Sequence, residues 1–402
     1  MTTELIDTGV RLETFTSFED AEAIASEWDD LIARLDGSLY MSFGWCRVWW
    51  DHYGDGRHLR LMAVRDGSEL VGVLPFFIES LGVVLGRARV AKLVGSDSTL
   101  AIVDPPVEAG AATEALERAM ARLLQDDRCD LVHLGPCSGE TRLEAVRGSV
   151  ANLAGEARIV RDREAGSHTV FEMPDGFDAY LKGLSRNQRS NYRRNLNKLN
   201  GAFKFAVDVV SDAPTLEHEF DAFVEMHQAQ WKAVNKLGHF GDWPGSREFT
   251  RDLVSDLARV DQVRLIRLLA DDQVVTYYFC FRLNDTFYWR LPARLTGKWD
   301  EFAVGRIGLL KMMEVAAAEG ATAIEAGTGR YDYKDKLNAQ TLPLYSVSVR
   351  RRGLAAAWRA RVTLALGDLL HLAYYKVWFQ RVAPRVRILR GPLWRSWIRR
   401  RF

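Results

Sequence analysis

At 402 residues the chain has room for two ordinary domains with cores of their own. Apolar residues make up 48% of it, which describes a soluble globular protein and excludes a disordered one. No window reaches the ~18 uninterrupted apolar residues that a membrane span needs. Cys46, Cys129, Cys137 and Cys280 are scattered with no CxxC pair, so neither a disulfide framework nor a zinc site is implied. Met1 to Asp7 lacks the basic and apolar blocks of a signal peptide, and a reducing cytoplasm is the expected location. The net charge of +1 conceals an asymmetry: Arg350 to Phe402 holds 14 lysines and arginines against one acid, Asp368. An acidic body with a basic tail implies that the tail meets something anionic.

In chain order, residues 11 to 35 read as a strand and an acidic helix, Phe18 to Leu35, with Ser17 placed to cap it. Ser42 to Tyr53 is an aromatic helix whose plain reading is a buried face. Leu59 to Arg65 and Glu69 to Glu79 form a hairpin about Asp66-Gly67-Ser68, followed by a helix, Thr113 to Gln125, and a strand, Asp130 to Leu134. Ser185 then caps a helix in which Arg186, Arg189 and Arg193 share one face. That row suits a phosphate, or else is a solvated face paired with the acidic body. The helix Leu216 to Val234 carries His227 and Trp231 four apart, a spacing open to packing or to catalysis. Gly238 to Pro244 is a loop of turn formers and aromatics, expected to cover an acceptor. Val263 to Ala270, Val274 to Leu283 and Thr286 to Leu291 are strands. Gly305 opens a helix, Arg306 to Glu319, which Gly320 stops; Ala321 to Glu325 is a strand, and Gly327 to Lys334 a polar, glycine-broken loop. A strand feeding a helix whose first amides face the sheet edge is a natural anion seat.

The early hairpin, LRLMAVRDGSELVGVLPFFIE, repeats the pattern of the later one, VRLIRLLADDQVVTYYFCFRL, and each is followed by a helix and a strand ending at glycine (Gly135, Gly327). Two copies of one α/β unit are therefore expected. The predicted limits are 1–170 for the first copy, 171–350 for the second and 351–402 for a basic, aromatic helical tail. In the first copy Pro136-Cys137-Ser138-Gly139 stands where the second has its tyrosine and lysine, so it is expected to be a scaffold and one wall of a cleft.

The stretch from Val263 to Leu337 resembles the central motif of the GCN5-related N-acetyltransferase (GNAT) fold, and more closely the CelD/BcsL or BioF2-like acetyltransferases, relatives of the Fem aminoacyltransferases. That family carries a glycine at the helix start and acid-x-x-x-Gly-x-x-x-Tyr-Lys after the last strand; Gly305, Glu325, Gly329, Tyr333 and Lys334 fall on those positions. Glu325 replaces the usual Asp, and Ala303-Val304 the usual Ser-Pro, which weakens the grip on a pyrophosphate. The Ser42 to Tyr53 helix, the Arg186 helix and the His227-x-x-x-Trp231 spacing also resemble family segments. The resemblance implies a tandem GNAT-like α/β fold and acyl transfer from acyl-CoA, without a metal, to an amine or hydroxyl of a sugar, glycan-lipid or small molecule. Glu325 is the expected general base, Tyr331 or Tyr333 the acid for the leaving sulfur, and Lys334 the neutraliser of an oxyanion or phosphate. His227 is a further catalytic candidate, and Gly305, Arg306, Gly329, Arg186 and Arg189 are candidates for holding the donor. The bland reading of Glu325 and Lys334 is an internal ion pair fixing the loop. Gly305, Glu325 and Lys334 are expected to converge at the rim of one open cleft. Two other functions stay open: transfer from charged tRNA bound by the Arg186 helix and the tail, and a non-catalytic scaffold in polysaccharide synthesis. The tail, with Trp358, Tyr374, Tyr375, Trp378, Phe379, Trp394 and Trp397, suits an anionic membrane surface, RNA, or the acidic flank of the protein itself.

Overall fold

The structure, a computed structural model, describes residues 9–402 apart from 85, 99, 100, 140, 154, 237, 243, 244 and 387–392. Met1 to Asp7, read above for a leader, and Trp243 and Pro244 of the aromatic loop lie outside the described residues, as do Arg387 and Arg390 of the tail. Two compact units form: Met1–Gly166 with Pro343–Lys376 and Arg395–Phe402, and Ser167–Leu342 with Val377–Trp394. The stretch after residue 350 is thus divided between the units.

The first unit holds β1 (Arg11–Phe15), β2 (His58–Asp66), β3 (Glu69–Val83), β4 (Gly86–Leu93) and β5 (Leu131–Ser138). The chain then enters β6 (Ala157–Glu172), whose later residues belong to the second unit with β7 (Phe205–Val210), β8 (Val263–Ala270), β9 (Gln273–Leu283), β10 (Thr286–Arg294) and β11 (Ala323–Thr328). From Pro343 on, β12 (Gln340–Arg351) returns to the first. Strand order is β1-β2-β3-β4-β5-β12 in the first unit and β7-β8-β9-β10-β11-β6 in the second. In both, the fourth and fifth strands are parallel and the other neighbours antiparallel. The repeat legible in the hairpins is therefore a repeat of topology.

Local chemistry explains much of this. Asp271 and Asp272 both adopt positive φ (50° and 64°), which lets a two-residue turn match the twist of β8 and β9. Gly320, at φ 86°, ends the helix Val304–Ala318 as expected. Ser17 caps its helix through Asp20 N–H, but the acidic helix is broken into Phe18–Ala21, a 3-10 turn Glu22–Ile24, and Ala25–Arg34. Trp45 and Trp49 are buried, so the aromatic helix is a packing element. The expected loop from Gly327 instead contains a single helical turn, Asp332–Asp335.

In the second unit the helix Val304–Ala318 crosses one face of the sheet, its Leu309, Leu310, Met312 and Met313 clustering with Phe171, Tyr278, Trp289 and Ile324. Its tight spot is Gly308, where an added Cβ would lie 2.5 Å from Tyr278 Cε2 and 3.1 Å from Thr276 Cγ2. Alanine for glycine inside a helix ordinarily gains ~0.5–1 kcal/mol. The Tyr278 ring cannot yield, because its hydroxyl donates to the Gly305 carbonyl of the same helix. Gly308→Ala is therefore expected to lose ~1–3 kcal/mol, read as a lower urea midpoint at unchanged m-value. Gly305→Ala meets only the flexible Arg294 stem (Cδ at 2.9 Å) and is expected to lose less.

Candidate active site

Parallel pairing of β10 with β11 covers Thr286↔Ala323, Phe287↔Ile324 and Tyr288↔Glu325, and stops there. β10 bulges between Trp289 and Leu291, and β11 bulges against β6 between Glu325 and Thr328. Bulges re-aim side chains and interrupt ladders, and they are common beside active sites. Beyond the stop the Ala326 carbonyl accepts a hydrogen bond from Lys334 Nζ at 2.5 Å. The turn Asp332–Asp335 folds back to deliver that ammonium, which lies 5.6 Å from the Trp289 ring centroid and 5.1 Å from that of Tyr331. Burial lowers its pKa to about 8, against the opposing pull of Glu325.

Glu325 and Lys334 thus occupy one neighbourhood, but not an open rim: they are only 6% and 3% exposed, which corrects that expectation. The reason is the unpaired strand end, which draws the lysine inward to a carbonyl. Their hydrogen bonds run to backbone groups as well: Lys334 Nζ to Ala326 O, and Glu325 from a neighbouring amide. Glu325 Oε1 accepts from Gly327 N–H at 2.8 Å, holding a turn at positive φ, and lies 3.7 Å from Nδ1 of the buried His168. Outside them Tyr331 and Tyr333 are about half exposed, 6.0 Å apart, and burial followed by the Tyr331 hydroxyl raises the Tyr333 pKa to about 12. Gly329, at φ 93°, is pinned by its N–H to Ser167 O and by its carbonyl to Thr169 Oγ1, so it shapes the segment from within.

The start of the Val304–Ala318 helix is built differently from a capped one. Its N-cap, Ala303, stands at φ 52° and offers no side-chain acceptor. A non-glycine residue there carries strain; the Arg306 and Ile307 amides donate to Ala303 O (2.9 and 3.1 Å), and no side chain caps the two amides before them. Within the first turn, Arg306 Nε and Nη2 are buried without a hydrogen-bond partner among the described residues, and burial lowers the guanidinium pKa. Gly305 contributes its carbonyl to Tyr278 Oη–H, and Tyr278 lies 5.6 Å from Trp289, ring to ring.

The remaining expected residues are scattered around this core. Arg189 is committed to the carbonyls of Lys182 (2.7 Å) and Leu184, closing the preceding helix, so it leaves the anion row. Arg186 and Arg193 are exposed on the helix Arg186–Ala202, whose Leu199 packs with Val304 and Ile307. His227 is fully buried; its Nδ1–H donates to Pro292 O at 2.8 Å, and its Nε2 then accepts from His239 Nδ1–H at 3.1 Å. Burial holds His227 down at about 4, against the Pro292 bond, while burial, His227 and Arg290 hold His239 at about 3. Sequence reading missed Trp289, Tyr278 and His168 as neighbours of the site, and the bond of His239, in the expected covering loop, to His227. No motif marks them, since strand register and the fold-back of a loop bring them in.

The lowered pKa of Lys334 has a measurable consequence. Between about 8, its folded value, and its ordinary 10.5, the unfolded chain holds the proton that the folded chain has lost. The unfolding free energy should therefore rise with pH across that window, by up to about 1.4 kcal/mol per unit. Urea titrations should show this rise in the wild type and not in Lys334→Met; parallel profiles would remove the buried lysine from the argument.

Residues 186–335 match the acetyltransferase (GNAT) domain family. No curated protein matches the chain. Among solved structures, the crystal structure of FemX is similar at a TM-score of 0.61 and 11% identity, covering 84% of this chain and 96% of that one. A conserved protein of unknown function from Bacteroides thetaiotaomicron VPI-5482 reaches 0.51 at 12% identity, over 85% of this chain and 100% of that one. The C-terminal domain (DUF2156) of a putative lysylphosphatidylglycerol synthetase from Agrobacterium fabrum reaches 0.51 at 13%, over 87% and 96%. At such identities the structural likeness is one of fold. The chain is thus an α/β protein of FemX-like fold whose residues 186–335 are similar to a GNAT acetyltransferase domain.

Proposed function

We propose that the protein is an acyltransferase that takes the acyl group from acyl-CoA, in the manner of the CelD/BcsL or BioF2-like enzymes. The observation that carries the reading is that Arg306 Nε and Nη2, buried at the uncapped start of the helix Val304–Ala318, find no hydrogen-bond partner among the described residues. Two buried guanidinium N–H groups without an acceptor are costly, and a pyrophosphate supplies both charge and acceptors. From that seat the donor's amide-bearing arm would run along the parted ends of β10 and β11, pairing with backbone groups as an added strand does. The thioester would then lie near Trp289 and Lys334. Lys334 would stabilise the developing oxyanion and Tyr333 would return a proton to the departing sulfur. Glu325, steadied by Gly327 N–H, would take the proton of the attacking amine or hydroxyl, directly or through water. His227 is better suited to positioning Pro292 and His239. Because Glu325 and Lys334 are buried, this reading requires residues 327–335 to shift on donor binding, between the positive-φ glycines and the Asp332 turn. The acceptor class is a sugar, glycan-lipid or small molecule, and envelope or exopolysaccharide synthesis is the setting that fits it.

A second reading, transfer from charged tRNA, draws on the exposed Arg186 and Arg193 and on the FemX-like fold. The two separate cleanly. Acyl-CoA at a hundred times its dissociation constant should stabilise the protein by about 2.7 kcal/mol, seen as a raised thermal midpoint. Arg306→Gln should cut kcat/KM for acyl-CoA by roughly 10–100-fold while leaving the corresponding acyl-pantetheine, which lacks the pyrophosphate, nearly unchanged. Equal losses for both donors would sink the assignment of Arg306. No shift with acyl-CoA and a salt-sensitive shift with tRNA would favour the second reading.

A further inference from the structure

The helix Leu354–Leu369 of the first unit is apolar on two faces, and only one of them is covered. Ala356, Ala360, Thr363, Leu364 and Gly367 are buried, with Ala360 and Leu364 in a cluster with Leu81, Val90, Leu131 and Phe402. On the opposite side a stripe stands in solvent: Leu354 is 93% exposed, Trp358 41%, Leu369 58% and, past the helix end, Leu372 59%. Helical spacing puts Leu354, Trp358, Arg361, Ala365 and Leu369 on one line. A water-facing apolar stripe on a well-packed helix marks an interaction surface.

The charge around the stripe is predominantly positive. A groove of about 750 Å³ beside it is lined by Arg158, Arg161, Arg350, Trp358 and Arg361, with Asp368 as its one acid. Arg161 takes that acid in a two-pronged pair at 3.0 and 2.6 Å. Arg158 and Arg361 are exposed, and among the described residues neither they nor Arg350 has an acidic partner. Meanwhile the other large rings of the tail have turned inward. Tyr374, Phe379, Trp394 and Trp397 are buried, and Tyr375 lies stacked on Trp397 with centroids 4.0 Å apart. That weighs against the RNA alternative for the tail, since bases would find one exposed tryptophan among its described residues, and the leucines would serve nothing. Among the described residues no helix is long and apolar enough to cross a membrane.

We infer that this face of the first unit docks on an anionic lipid bilayer, with Leu354 and Trp358 entering the headgroup–acyl boundary and Arg158, Arg350 and Arg361 resting on headgroup phosphates. The inference is independent of the acyl-transfer reading. It is tested by co-sedimenting the full chain with vesicles of phosphatidylcholine alone and of phosphatidylcholine mixed with phosphatidylglycerol. Binding is expected only with the anionic lipid. It should weaken roughly fivefold in each of Arg158→Gln and Arg361→Gln, and roughly tenfold or more in Leu354→Glu/Trp358→Glu. These side chains are exposed, so thermal midpoints should not move; if the double variant fails to fold, the single arginine variants decide. Three results would overturn the inference: no binding to the anionic vesicles, equal binding by wild type and double variant, or a concentration-dependent dimer broken by the double variant without vesicle binding. Retention by tRNA in place of vesicles would overturn it as well.

Discussion

The pairing of β10 with β11 ends after three residues, and the second unit is arranged around that ending. Backbone polar groups inside a protein have to be satisfied. Where a ladder stops in the interior, something other than a strand has to meet them. In this chain a lysine does so, carried back by one helical turn and bonded to Ala326 O. The same stop aligns Tyr288 with Glu325 and leaves the Trp289 ring beside the ammonium. A compact cation in a low-dielectric place loses affinity for its proton, which is why Lys334 titrates near 8. A helix start without a side-chain cap and a buried, proton-labile lysine at a strand gap lie in one unit, and the proposed acyl transfer would draw on both.

The first unit has the same stop and resolves it otherwise. β4 and β5 pair over Val90↔Leu131, Ala91↔Val132 and Lys92↔His133, so Lys92 and His133 hold the positions of Tyr288 and Glu325. There the chain closes on itself. Lys92 Nζ lies 2.6 Å from Glu79 and 2.5 Å from Asp97 and donates to Arg399 O at 2.8 Å, while Arg399 Nε donates to Glu79 at 2.6 Å. His133 is held at about 3 by burial first, then by Lys92, and its Nδ1 lies 3.0 Å from Ser348 Oγ. Buried charge so closely paired is expensive to disturb and confers geometry more than net stability. One topology thus supports two outcomes, set by whether the gap is met by a fixed ion network or by a single lysine on a short turn.

The tail divides along similar lines. Its small residues and several of its rings complete the first unit's packing, and its arginines either enter buried pairs, as Arg399 does, or stay in solvent, as Arg361 does. A count of charges treats these alike. Burial separates them, because a paired guanidinium in the interior and a solvated one beside a bare leucine face different partners.

The sequence by itself determined the repeat, the hairpins and the crossover helix of the second unit, because period-two strands, acidic turns and a terminating glycine are local properties. The family resemblance, not any local property, singled out Gly305, Glu325, Tyr333 and Lys334 as one group. The sequence was silent about β6 and β12, which join the two units along the chain, because a strand that pairs with partners far away in sequence has no local signature beyond its alternation. Only the tertiary structure decided that Arg189 closes a neighbouring helix, that Glu325 and Lys334 are covered, and that Trp289 and His168 stand beside them. Each of these depends on register and on where a chain folds back, and those are settled by long-range packing and by the need to satisfy buried polar groups.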